Sequence, residues 1–541
     1  MLLLFALVLW GRFGAVIPAV LSLALAAVLA ATVFEAGAAV LGVALGKGLW
    51  LALWILLVVW PALLLYRVAS VGGLERLGRL FTSVLPRRRE NLLIVAWVFP
   101  SFIQGVAGFG TPIAVTAPLL VAMGWGPARA VAYPLIGYHW SVTFGSMGSS
   151  FYMASLTAGL TSSEQPVLAA YSALFLAVNC VLAGALVLVF DGGLAGLREG
   201  LGVLLPVGIP MAATLVAVAV LVPAIATLAS ASVGFLLVSV LAVVRGRNRR
   251  NHVRVGASAA TASGPVQGRG GRPSEVDAGR SPREPDETEQ NPRWAPLLLA
   301  PYVYLLVVAL PVFLFPASRE WVTSRLTLAP SFTETKTGLG WVNPAVSDYS
   351  TLEVLAHPGT YITLASILGY LTFRLWGLWR GPKSKGLVRA WISALPKSSY
   401  SIVLLACLAT VLVDAGMVSV LARGSAEVAG SVYPAVGPLL GAVGSFMTGS
   451  TTSSNALLAS FQAHVAELLH VEPVILVAAQ TAGGNVGNSL APVVVLVGAG
   501  AVSATDAFPH IIRACLLPAA VLLAAVSGMC MVATLLPGWP G

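Results

Sequence analysis

The chain has 541 residues, 57% of them hydrophobic and only 10% charged, with a mean hydropathy of +0.88 and a formal charge of +10. A soluble protein is excluded, because apolar runs of about 20 residues, the length that spans a bilayer, fill both ends of the sequence. The charge does not argue for nucleic acid, since 22 of the 31 Lys and Arg residues fall in three stretches, 67–91, 245–293 and 374–397, which the positive-inside rule places in the cytoplasm.

In chain order, Met1–Trp10 is apolar with no basic residue ahead of it and continues past Arg12 into another apolar stretch. It reads as an uncleaved membrane segment and not as a signal peptide. Apolar stretches follow at 15–34, 48–66, 92–104, 113–123, 128–144, 167–190, 203–222 and 224–244. The segment 245–294 is low in large apolar residues, Arg/Gly/Ser-rich and then acidic. It cannot bury enough surface to offset its ordering entropy and reads as a disordered cytoplasmic linker. Apolar stretches resume at 295–315, 356–374, 401–422, 434–447, 471–482, 490–502 and 508–536. Between the first two of these, 317–353 lacks the basic bias, carries Trp321, Trp341 and Tyr349, and reads as extracytoplasmic. Cys180, Cys407, Cys515 and Cys530 form no C-x-x-C pair and read as packing thiols. The expected architecture is an all-α polytopic transporter with about 11–14 helices, some broken or re-entrant. Two membrane halves, 1–244 and 295–541, flank the linker and form a two-fold pseudo-repeat.

Three polar tracts interrupt the apolar sequence. In Gln104–Pro112, Gly108 and Gly110 permit unusual backbone angles, Phe109 supplies an apolar wall, and Thr111-Pro112 suits the start of a helix whose N–H groups could meet a carboxylate. Close helix packing through small residues is the competing reading. In Thr448–Asn455, seven of eight residues carry a hydroxyl or amide, including Ser450, Thr452, Ser453, Ser454 and Asn455. This is more hydrogen-bonding capacity than packing requires. Gln480–Asn488 places Gln480, Asn485 and Asn488 among three glycines, as a third cavity wall or as a kinked helix with self-satisfied amides. Two titratable residues are candidates for proton coupling. Asp414 lies in an apolar run with no sequence-local cation other than Arg423, and His139 lies between Tyr138 and Trp140 on an expected central helix. Glu35 and Lys47 could pair with each other if their helix breaks near Gly42–Gly48.

At this point the residues resemble a family. Ala107-Gly-Phe-Gly-Thr-Pro112, Phe144-Gly145, Met147-Gly148, Thr448-Gly-Ser450, Thr452-Ser-Ser-Asn-Ala-Leu457, Gln462, Gly483-Gly484 and Gly487 look like the L-lactate permease family, which includes glycolate permeases. The resemblance implies a multi-pass bacterial inner-membrane carrier of 2-hydroxy monocarboxylates coupled to protons, with membrane lipid as its surroundings, no cofactor and no metal. Assembly into a homo-oligomer stays open. The chain departs from the family pattern where an acidic residue gives way to Gln104, an aspartate to Thr451, a lysine to Asn488, and an Ile-Pro to Ser149-Ser150. Three charges are thereby neutral, so helix dipoles and hydroxyls must do more of the anion binding, and the cargo could be another small organic anion with different or no proton coupling. A channel is the second class. An intramembrane enzyme is disfavoured by the lack of G-x-S-x-G and H-E-x-x-H motifs.

Overall fold

The computed structural model describes residues 16–72, 85, 87–106, 110–260, 295–379 and 386–535. Helix α1 (Val16–Thr32) shows the solvent that shaped the chain. Its small residues Ala19, Ser22, Ala26 and Ala30 face inward, whereas Val20, Leu21, Leu25 and Val28 face out. Small residues inside and large apolar ones outside is the pattern of a helix that packs closely in lipid. Helix α2 (Ala38–Gly72) has 35 residues, about 50 Å at 1.5 Å per residue, and so carries the chain from one face of the protein to the other. Beyond it, α3 (Arg88–Leu93), a π-helical turn (Ile94–Val98) and α4 (Phe99–Val106) form one buried rod.

The first half continues through α5 (Thr111–Ala122), α6 (Pro127–Tyr138), a 3-10 turn at His139–Ser141, and α7 (Ser149–Thr157). Helix α8 (Glu164–Leu221) is broken at Gly192 and Gly193. Its two arms fold back on each other, since a Cβ at Gly200 would meet Leu188 and one at Gly184 would meet Leu204. Arg89 holds the turn through Asp191 (2.8 Å) and Glu199, and Trp125 and Tyr133 donate to the same Asp191 carboxylate at 3.1 and 2.8 Å. Arg89, within the basic stretch 67–91, is therefore a structural clamp. Helix α9 (Ala226–Ala260) runs well into the segment expected to be a disordered linker, and residues 261–294 lie outside the described residues.

After α10 (Ala300–Leu314) and α11 (Pro316–Thr323), the expected extracytoplasmic segment folds into nested antiparallel pairs. Strand β1 (Thr327–Leu328) pairs with β4 (Leu352–Glu353), and β2 (Thr335–Lys336) pairs with β3 (Val342–Asn343). This small cap sits on the start of α2, where Trp50 and Trp54 donate to the carbonyls of Ser350 (3.0 Å) and Thr351 (3.3 Å), and Gly338 donates to the Glu35 carbonyl (2.9 Å).

The second half comprises α12 (Pro358–Leu375), α13 (Leu387–Asp414), α14 (Met417–Ala429), α15 (Tyr433–Thr448), α16 (Thr451–Leu468), α17 (Pro473–Leu490), α18 (Pro492–Ala501) and α19 (Phe508–Leu535). Five described helices are long and apolar enough to cross a membrane, or six if α17 and α18, bent by 41°, count as one span. The 11–14 helices expected from apolar runs thus divide into fewer complete spans and a set of short helices, such as α5 and α7, that begin inside the protein.

Both halves use the same order of breaks. A helix ends, a left-handed glycine (Gly110, φ 79°; Gly416, φ 77°) opens a short helix, a second helix returns, and another left-handed glycine (Gly148, φ 73°; Gly449, φ 69°) precedes an inward-starting helix. In this order Gln104–Pro112 matches the segment around Asp414–Gly416, whereas Thr448–Asn455 matches Gly145–Ser150. The two polar tracts singled out by composition are not each other's counterparts.

The third tract is a packing surface on one side. A Cβ at Gly483 or Gly487 of α17 would overlap the carbonyl oxygens of Pro438 or Ala442 on α15, and one at Gly441 would overlap that of Gln480. Gly483→Val should therefore cost more than the about 1–3 kcal/mol typical of overpacking. Loss of the monodisperse peak in detergent size-exclusion chromatography is the expected outcome, with Gly500→Ala, in open space, as the neutral control.

Candidate functional site

Two short segments bring helix beginnings to the middle of the protein. Helix α7 starts after the sharp turn at Met147 (φ 57°) and Gly148. Helix α16 starts after Gly449, with the Ser450 side chain capping it by accepting from the Ser453 N–H at 3.2 Å. The two first turns meet: Ser150 Oγ lies 2.9 Å and Ser149 Oγ 3.4 Å from Thr452 Oγ1, and Asn455 Nδ2 donates to the Ser150 carbonyl at 2.8 Å. Each helix start carries unpaired N–H groups and a partial positive charge. Two of them abutting is unfavourable unless polar or negative groups lie between, and this arrangement therefore favours an anion.

Helix α17 completes the cluster. Asn455 Nδ2 also donates to Thr481 Oγ1 (2.8 Å), and Gln480 Nε2 donates to Asn455 Oδ1 (3.0 Å) and Ser454 Oγ (3.3 Å). From the first half Thr143 Oγ1 donates to Asn485 Oδ1 (2.9 Å) and lies 3.2 Å from Thr481 Oγ1. All of these side chains are buried. Several buried polar atoms here have no partner within the protein: Gln480 Oε1, Asn485 Nδ2, Thr451 Oγ1, Ser445 Oγ, Tyr138 OH, His139 Nε2 and Trp140 Nε1. Such atoms are costly in folded proteins, and those of Gln480, Asn485 and Thr451 leave hydrogen-bonding capacity open on the helices of the junction.

The sequence-expected residues divide accordingly. Ser450, Thr452, Ser453, Ser454, Asn455, Gln480 and Asn485 belong to this junction, and Asn488 is buried one turn beyond Asn485 on α17. Gly110 and Thr111 begin α5 as expected, but Gly110 packs on Val497 of α18 and not on the cluster. Gly108 and Phe109 lie outside the described residues. The third tract is continuous helix, and the break falls three residues beyond Asn488, at Ala491 (φ −57°, ψ 131°). His139 sits on a 3-10 turn and not within a helix, with Nδ1 2.9 Å from the Ile136 carbonyl.

Asp414 has no cation beside it in the sequence, but Lys47 Nζ, from α2, donates to both of its oxygens, at 3.1 and 2.9 Å. Lys47 in turn does not pair with Glu35, whose backbone instead receives the cap. Asp414 is the last residue of α13, where the helix dipole disfavours negative charge, and the ammonium offsets that cost. The pair lines a cavity of about 980 Å³ together with Trp54, Tyr349, His357, Thr410, Ser460 and His464. Tyr152 and Leu156 of α7 also line it, so the cavity descends along the two helices whose first turns form the polar junction. Ser460 follows Asn455 by five residues, about 7.5 Å along α16.

Sequence reasoning missed Thr143 and the roles of Ser149, Ser150 and Thr481. The signal was present in Gly145-Ser-Met-Gly-Ser-Ser150, which pairs glycine with hydroxyls as Gly449–Asn455 does.

The fold and this junction between halves define a polytopic membrane transport protein. The L-lactate permease family model matches residues 1–536, and the chain belongs to that family. It is 26% identical to an L-lactate permease of Streptococcus iniae, over 81% of this chain and 83% of that protein. It is 28% identical to an L-lactate permease of Salmonella typhimurium, over 82% and 77%, and 27% identical to the glycolate permease GlcA of Escherichia coli, over 82% and 78%. Among solved structures, the Alcanivorax borkumensis YdaH transporter is similar at a TM-score of 0.49 and 14% identity, covering 98% of both chains. The chain is a permease and not an enzyme.

Removing the Asn455 amide strands the Ser150 carbonyl and the Gln480 amide. Asn455→Leu should cost about 1–3 kcal/mol for each buried group left unpaired, read as a lowered unfolding temperature in detergent. Ser453→Ala, which leaves the Ser453 backbone N–H bonded to Ser450, should shift it far less.

Proposed function

We propose that this permease is a secondary active transporter of small 2-hydroxy monocarboxylates, lactate or glycolate, in a bacterial inner membrane, coupled to protons and working by alternating access. The observation that carries the reading is the direct contact of α7 and α16 through Ser149, Ser150, Thr452 and Asn455. Two helix starts from different halves meet at a buried, hydroxyl-rich junction, and later turns of the same two helices line the cavity beneath the cap. A carboxylate suits the converging N–H groups, and a 2-hydroxyl suits the side-chain donors and acceptors of Thr451, Gln480 and Asn485. The printed names of the relatives, lactate and glycolate permeases, support that cargo class.

Alternating access needs a junction that can part. The halves are joined here by hydroxyl and amide contacts that water or a polar cargo can replace at little cost, whereas the α15–α17 contact is interlocked backbone. The rocking surface is accordingly the α7–α16 junction. Of the two proton-coupling candidates, Asp414 lines the cavity and His139 does not, which favours Asp414.

Cells lacking their own lactate uptake should accumulate labelled L-lactate or glycolate on expressing the chain, and a protonophore should abolish accumulation. Uptake of neither acid would overturn the cargo. Accumulation indifferent to the protonophore would overturn the coupling. A flux that does not saturate would favour a channel.

A further inference from the structure

An anion buried in protein needs a counter-charge, and the chain carries neutral residues at the three positions where its family resemblance implies charge. Among the described residues, Lys47 is the cation lining the cavity. It is only 7% exposed, and it spends two of its three donors on Asp414. A buried ion pair contributes little to stability against an apolar pair of similar size, so helix packing alone does not account for it. Three further features place the pair at a binding surface. The ring of Tyr349 from the cap lies 5.8 Å from the ammonium. The Ser460 hydroxyl, 3% exposed and lining the same cavity, has no partner in the protein. Finally, Asp414 ends α13 beside the left-handed Gly416, so its charge faces the negative pole of its own helix and depends on Lys47.

We propose that Lys47 receives the cargo's carboxylate, and that Asp414 is its resting counter-ion, released by taking up a proton. The inference rests on the transport reading above and names its charge-recognition site. The exchange balances: the paired carboxylate and ammonium, one proton and one carboxylate anion become a neutral Asp414 carboxyl and a Lys47 ammonium paired with the cargo. The proton goes onto the Asp414 oxygen, no covalent bond of the cargo changes, and one proton enters with each anion. The ring of Tyr349 faces the pair, and the titratable and charged groups that share its cavity are Asp348 and Glu353 of the cap, His357 at the start of α12 and His464 on α16, with Thr410 on α13. The Asn343 amide bonds the Asp414 carbonyl at 2.9 Å and leaves its carboxylate to Lys47. Tyr349 and Ser460 offer hydroxyls to the cargo's 2-hydroxyl or second carboxylate oxygen.

The test uses the full-length protein in liposomes and in detergent, with L-lactate, glycolate, pyruvate and acetate as probes and tryptophan fluorescence as the binding signal, Trp54 lining the cavity. Lys47→Gln should weaken binding about 10- to 100-fold, the worth of a charge-assisted hydrogen bond. Asp414→Asn, which leaves the ammonium uncontested, should bind at least as tightly as the parent, lose the dependence of affinity on pH, and equilibrate cargo without accumulating it against a pH gradient. The charge-swapped pair Lys47→Asp with Asp414→Lys restores attraction between the helices and should regain thermal stability but not coupled uptake. If the swapped protein transports as the parent does, or if Asp414→Asn remains proton-coupled, the pair is structural and the inference falls while the transport reading stands. If lactate and glycolate fail but pyruvate or acetate binds with the same dependence on Lys47, the cargo assignment falls and the inference stands. Binding of none of the four overturns both.

Discussion

The structure depends on one constraint: a backbone that stops being helical inside a membrane must have its polar groups satisfied by the protein. At the α7–α16 junction this is met both within the second half and by side chains crossing between the halves. Asn455 bonds the Ser150 carbonyl, Ser450 caps the Ser453 N–H, and Thr452 lies against Ser149 and Ser150. The same condition makes the junction separable, because a hydroxyl satisfied by a hydroxyl can be satisfied as well by water or by cargo.

The rest of the second half is arranged to hold that junction still. Glycines 441, 483 and 487 let α15 and α17 approach until backbone meets backbone, which fixes the face of α17 bearing Gln480, Thr481 and Asn485. The face opposite the cap is closed by charge instead, with Arg89 gripping both arms of α8 through Asp191 and Glu199. Close packing, hydroxyl contacts and ion pairs thus serve different regions: the α15–α17 support, the α7–α16 junction and a peripheral clamp on α8.

Much of this was legible in the sequence because lipid simplifies the code. Apolar length marked the membrane segments, the distribution of Arg and Lys marked the basic loops, and the hydroxyls and amide of Thr448–Asn455 marked the polar junction. The resemblance in Gly-Phe-Gly-Thr-Pro and Thr-Ser-Ser-Asn-Ala-Leu pointed to the family that the comparison then established. Two things stayed hidden for physical reasons. The partner of Asp414 lies 367 positions away on α2, and a pairing of that separation leaves no local periodicity to read. The equivalence of Gly145–Ser150 with Gly449–Asn455 was masked because composition ranks tracts by polarity, whereas the repeat is set by where left-handed glycines break the helices.

Charge placement ties these levels together. Helix starts can hold a carboxylate by dipoles alone, but dipoles fall off within a turn and draw an anion only once it has arrived. A lysine beside a 980 Å³ cavity acts over a longer range, and its charge is tolerable there only while a carboxylate accompanies it. Asp414 supplies that carboxylate at the end of a helix whose dipole opposes it, so the resting pair is held with little surplus. Under the proposed exchange an incoming anion need only match Asp414, and a proton on Asp414 would tip the balance. The neutral residues at Gln104, Thr451 and Asn488 are then consistent with a carrier in which the charged step has moved to the cavity, leaving the junction below to close around an anion through hydroxyls and amides.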